Sequence, residues 1–157
     1  MTDSFFDYPD AEETKASQEF IFLPHWDEPL WQKLLSYAEV RSFQTRAMVI
    51  SPGEGGRNFY IILDGRLEVL IPRGDGTWRS TQVREVGTVI GEQSFFDGRP
   101  RSAALRALSD GQLLSISQDA FQSFAAREPE LARDLLTELG RMLSLKLRQA
   151  NSLLGKK

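Results

Sequence analysis

The strongest constraint in this sequence is a pair of apolar runs, residues 58–63 (NFYIIL) and 66–71 (RLEVLI), separated only by Asp64-Gly65. A two-residue turn that matches the twist of its strands needs positive φ at its centre, which Asp and Gly accept at small cost. The pattern predicts an antiparallel β-hairpin. Because an isolated hairpin is marginal in water, further strands or a covering layer must stabilise it.

The flanking sequence offers both. Short β-type runs lie at 41–45 (RSFQT) and at 47–50 (AMVI), the latter closed by Ser51, Pro52 and Gly53. After a second turn at Gly74-Asp75-Gly76 come 77–83 (TWRSTQV) and, behind Gly87, 88–90 (TVI). Runs 102–108 (SAALRAL) and 112–117 (QLLSIS) follow, separated by Ser109, Asp110 and Gly111. Many short strands divided by turn residues indicate an antiparallel sandwich or barrel. Helical periodicity flanks this β region. Residues 27–40 carry Leu30, Leu34, Leu35 and Ala38 at helical spacing, with Asp27 as N-cap and Pro29 in the first turn. A second helix is expected at 117–127, ending before Pro129.

From Pro129 onward Leu131, Leu135, Leu139, Met142, Leu143, Leu147, Ala150 and Leu154 recur every three or four residues. About 24 helical residues would span about 36 Å, more than a small barrel needs for cover. The part near residues 131–139 reads as core; beyond it, core and a homodimer or partner contact are equal readings. Residues 1–19 set six acids (Asp3, Asp7, Asp10, Glu12, Glu13, Glu19) against Lys15 alone and read as a solvated tail, with Phe5, Phe6 and Tyr8 as its only apolar handles. The expected organisation is that tail, then one domain over 20–157, with the barrel at about 40–117 and C-terminal helices at about 118–154.

Composition narrows the function classes. The 157 residues include no cysteine, which removes thiolate metal sites and cysteine nucleophiles. His25 is the only histidine, so a metal-dependent barrel enzyme and Ser-His-Asp chemistry would both have to rest on it. It is expected at the domain's entrance as a surface or packing residue, and no catalytic or metal-binding residue is predicted. The net charge of −3 is unevenly placed, with the tail acidic and the remainder close to neutral, which leaves no basic footprint for direct DNA binding. With no apolar run near membrane-spanning length and no secretory leader pattern, a cytoplasmic location is expected.

The segment 91–104 (GEQSFFDGRPRSAA) gathers what phosphate recognition requires. Gly91 permits close backbone approach, and residues 94–97 could form one helical turn whose N–H groups favour an anion. Arg101, after the Gly98-Arg99-Pro100 bend and at the start of a strand, offers a planar fork to phosphate oxygens, with Ser102 and Ala103 beside it. Glu92, on the other side of the short helix, could accept from sugar hydroxyls. An exposed Glu–Arg ion pair is the plainer reading of the same two residues.

The run Gly91-Glu92-Gln93-Ser94-Phe95-Phe96 followed by Pro100-Arg101-Ser102-Ala103 resembles the phosphate-binding cassette of the cyclic nucleotide-binding domain family, which includes the catabolite activator protein and the regulatory subunits of cAMP-dependent protein kinase. The resemblance extends over about residues 26–150, through Pro52-Gly53-Glu54, the run ending at Gly65, Gly87 and the helix behind Pro129. It implies a mainly β fold, an antiparallel jelly-roll barrel with an N-terminal helix and a long C-terminal helix. It also implies a regulatory module, not an enzyme, with cAMP or cGMP as ligand and no other cofactor. Glu92 would accept from the ribose 2′-hydroxyl and Arg101 would pair with the cyclic phosphate. Gly91, Ser94, Ser102 and Ala103 would line the rest, with Val69 and Val86 on the wall that meets the base. The signal would be closure of the helix at 129–151 over the base, with Leu143, Leu147, Arg148 and Asn151 as candidate caps and a protein effector as recipient. Lys146 and Leu147 stand where the catabolite activator has hydroxyl residues that read adenine. The resembling activators carry a helix-turn-helix beyond this helix, for which the six residues after Asn151 are too few. The alternative is a structural or interaction module with the same fold and no ligand.

Overall fold

The computed structural model describes residues 18–155, so the acidic tail, apart from its last two positions, lies outside the described residues. A 3-10 turn at Gln18–Phe20 leads to helix α1 (Glu28–Leu35). Eight strands follow among the described residues: β1 (Glu39–Phe43), β2 (Met48–Ile50), β3 (Phe59–Asp64), β4 (Leu67–Pro72), β5 (Trp78–Arg84), β6 (Val89–Ile90), β7 (Ala104–Ala107) and β8 (Gly111–Ile116). Helix α2 (Glu92–Asp97) sits between β6 and β7, and α3 (Gln118–Arg127) and α4 (Pro129–Gly155) close the chain.

Every strand pairing is antiparallel, in two four-stranded sheets ordered β1-β8-β3-β6 and β2-β7-β4-β5. This is the jelly-roll arrangement of two facing sheets, and it corrects one expectation. The runs joined by Asp64-Gly65 are not a hairpin, because β3 and β4 belong to different sheets. Asp64-Gly65 is instead a corner stacked on the matching corner between β7 and β8. Arg66 N donates to Ser109 Oγ at 3.1 Å and Leu108 N to Arg66 O at 2.9 Å. Gly65 holds φ at +88°, and a Cβ there would stand 2.6 Å from Asp110 O, so only glycine fits. The tight hairpin is the next one, β4 to β5, closed by Arg73 N donating to Thr77 O at 2.8 Å.

Strands β3, β6 and β8 of the first sheet are covered on both faces, whereas edge strand β1 is largely exposed. Tyr60 and Ile62 point into the barrel with Phe43, Ile50, Leu67, Ile90, Leu105 and Leu113. Their neighbours Phe59 and Ile61 face outward onto Trp31, Leu34, Phe124, Leu135 and Leu139 of the helices. Double coverage explains why β3 is an unbroken apolar run, not an alternating one. Phe95 of α2 lies in the helical layer, with ring centroids 4.9 Å from Phe59 and 5.5 Å from Phe121 of α3, both edge-on.

Several boundaries differ from the sequence reading. The first helix ends at Leu35, and Glu39 and Val40 have already joined β1 opposite Ser115 and Leu114. The run 102–108 yields a strand only at Ala104–Ala107, and α4 continues past residue 151 to Gly155. Leu135, Leu139 and Met142 are buried on α4, while Leu131 is half-buried and Leu147 and Leu154 are 62% and 79% exposed. Two helix starts are capped as the side chains dictate, with Asp27 accepting from Leu30 N and Ser117 from Ala120 N. His25 is exposed and meets Asp134 of α4 at 2.8 Å.

Candidate functional site

Gly91 opens α2 with φ at +80°. A Cβ on it would stand 2.9 Å from Arg101 Nη1 and 3.1 Å from Asn58 O, so the glycine makes room for a guanidinium. Arg101 lies three residues ahead of β7, not at its first position, and is fixed by its own main chain. Its N–H donates to Glu54 O at 3.1 Å and its carbonyl accepts from Gly53 N at 2.9 Å. The Pro52-Gly53-Glu54 segment thus acts as a clamp for the arginine.

Its side chain turns inward and is only 6% exposed. Nη1 donates to Gly91 O at 2.9 Å, Nη2 donates to Asn58 O at 2.8 Å, and the guanidinium lies 5.8 Å from the centre of the Tyr60 ring. Among the described residues no carboxylate pairs with it, and its buried Nε has no hydrogen-bond partner. A desolvated cation with an unused donor is costly unless an anion completes it.

Glu92 is the first residue of α2, not a neighbour beyond it, and is 3% exposed. Its Oε1 accepts a short hydrogen bond from Lys146 Nζ of α4, and the same ammonium donates to Val89 O at 2.8 Å. Burial is the main cause that holds the Lys146 ammonium below its usual range; the Glu92 charge opposes this, and the like charge of Arg84 adds to it. The half-buried Arg84 guanidinium is lowered in the same way by burial, against the pull of Glu92. The cassette acid is therefore surrounded by donor-only cations.

The remaining predicted positions divide. Ser94 is buried, Ala103 is half-buried, and Ser102 is exposed with its hydroxyl donating to Gln93 Oε1 at 3.1 Å. Val69 and Val86 are half-buried against the barrel cluster. On α4, Leu143 is half-buried, while Leu147, Arg148 and Asn151 are exposed. Lys146 of α4 reaches the cassette through its bond to Glu92. Gln149, one turn on, is half-buried with its Oε1 unpartnered. Sequence reading did not rank Gln149, Arg84 or Arg57; the last donates to the carbonyls of Phe95 and Phe96 and holds the end of α2. A cleft of about 500 Å³ opens between edge strands β1 and β2, and it touches this site only through Tyr60. Among the described residues no His, Cys, Asp or Glu cluster could hold a metal, and no described helix is long and apolar enough to cross a membrane.

The fold is thus a jelly roll that buries an arginine paired with no described carboxylate, together with the acid of the same segment. The sequence model of the cyclic nucleotide-binding domain matches residues 40–128, and the chain belongs to that family. It is 30% identical over 104 residues to the CRP-like cAMP-activated global transcriptional regulator of Mycobacterium tuberculosis, covering 66% of this chain and 45% of that protein. The chain thus spans less than half the length of that curated relative. Among solved structures, a cyclic nucleotide-binding domain from Methylobacillus flagellatus superposes with a TM-score of 0.78 at 24% identity, covering 89% of this chain and 83% of that one. The Thermus thermophilus catabolite activator protein superposes at 0.71 with 25% identity, covering 88% and 62%.

Proposed function

We propose that this chain is a sensor for cAMP or cGMP. The cyclic phosphate would pair with Arg101, the ribose 2′-hydroxyl would donate to Glu92, and the base would rest against Val69 and Val86. Gly91, Ser94, Ser102 and Ala103 would complete the phosphate and sugar cradle. The observation that carries this reading is Arg101 itself, buried, directed into the barrel, unpaired by any described carboxylate and left with a free Nε. A cyclic phosphodiester supplies the missing charge and acceptors.

The output would be a change in how α4 presents itself to a protein effector or a second copy, with the exposed Leu147 and Leu154 as the contact face. No catalytic step is proposed, and the setting is the cytoplasm. Its domain would span 20–157, with 1–19 as an appended tail. Calorimetric titration with cAMP and with cGMP tests the reading, with saturable binding of one nucleotide per chain expected for at least one of them. The pairing of Glu92 with Lys146 favours a second reading, a ligand-free interaction module. Flat titrations with both nucleotides would establish it in place of the sensor.

A further inference from the structure

We infer that Lys146 is a built-in competitor for the sugar-binding carboxylate, so that ligand binding loosens the far end of α4 from the cassette. The inference rests on the cyclic nucleotide reading above. Lys146 lies 54 residues from Glu92 in sequence, yet its ammonium bonds both Glu92 Oε1 and the Val89 carbonyl. Its side chain is 20% exposed and that of Glu92 is 3%. The ion pair therefore stands at the protein's interior edge, where charge-assisted hydrogen bonds are strongest.

That carboxylate is the acceptor a ribose hydroxyl would need. Arg84, the other charged group facing the pair, repels Lys146 and attracts Glu92, so it favours giving up the lysine over giving up the acid. Past Lys146 little else holds the helix. Of residues 147–155 only Gln149 is half-buried, and the others are exposed. Earlier in α4 the buried Leu135, Leu139 and Met142 keep the helix on the barrel whatever happens at Lys146. A hydroxyl donor arriving at Glu92 would thus free the last two turns and leave the rest in place.

Lys146→Met keeps the apolar stem and removes the ammonium. Titrated against the whole protein, it should bind cAMP or cGMP about tenfold more tightly than wild type, the weight of one charge-assisted hydrogen bond. The gain should vanish with the 2′-deoxy nucleotides, which bring no hydroxyl to Glu92. In nucleotide-free protein the amides of 147–155 should exchange faster in Lys146→Met than in wild type, and saturating nucleotide should speed them in wild type. Should Lys146→Met fold poorly, Glu92→Gln removes the ion pair from the other side and should speed the same amides. Unchanged or weaker nucleotide binding in Lys146→Met, or slower exchange of wild-type 147–155 on saturation, overturns the competition while leaving the sensor in place. Flat titrations of both wild type and Lys146→Met would instead remove the sensor, and the competition with it.

Discussion

In the proposed site, Arg101 is the residue on which affinity would depend. Its two bonds to carbonyl oxygens position the fork without neutralising it, and Gly91 supplies the gap it occupies. Arg101→Ala should weaken nucleotide binding by about 2–5 kcal/mol, because the phosphate would then be buried without a counter-charge. Wild-type affinity of that variant in a calorimetric titration would remove the arginine from the site. The types and spacing of Glu92 and Arg101 were legible in the sequence because the cassette is continuous. Their surroundings were not. Lys146, Asn58 and Tyr60 reach the cassette from 54, 43 and 41 residues away, and no local pattern encodes such contacts.

At the scale of elements, strand and helix positions followed from periodicity and turn residues, but pairing did not. Asp-Gly reports that the backbone can reverse and is silent on whether the two strands stay hydrogen-bonded. Here a bulge between Ile62 and Asp64 and the packing of Gly65 on Asp110 redirect β4 into the opposite sheet. A different device fixes the N-terminal segment. Leu23 is buried at φ +51°, an unfavourable conformation for leucine, and its N–H donates to Glu138 Oε2 of α4 at 2.8 Å. Glu138 also pairs with Arg141, whose guanidinium reaches the carbonyls of Glu19 and Ile21. Glu138→Ala should therefore cost about 1–3 kcal/mol by stranding a buried N–H and a guanidinium. The check is a urea midpoint that falls while the slope stays constant; an unmoved midpoint would show that the segment is held by its apolar contacts alone.

At the scale of the whole molecule, carboxylates that fasten loops contribute to its acid sensitivity. Asp110 is held below its ordinary value by hydrogen bonds from the Thr45 N–H and hydroxyl, and Asp75 by those from the Thr77 hydroxyl and N–H. Burial would raise Asp134, but hydrogen bonds from Trp26 and His25 outweigh it and leave it lowered as well. Carboxyls with depressed folded values contribute fully above the unfolded value of about 3.9 and lose that contribution as pH falls through the folded values. The thermal midpoint should therefore hold down to about pH 5 and fall below about pH 4. Asp110→Asn, which cannot gain a proton in that window, should flatten part of the fall; an identical acid limb would sever this link.

The ring of Phe95 belongs to two neighbourhoods at once. It stands on α2, within the cassette, and its edges are pressed against Phe59 of the barrel and Phe121 of α3. Close-packed rings do not slide independently, so a tilt of α2 must push α3 or open a void beside it. Were a ligand in the proposed site to tilt α2, the disturbance would leave the barrel by a route that bypasses Lys146, carried by steric pressure through one aromatic side chain.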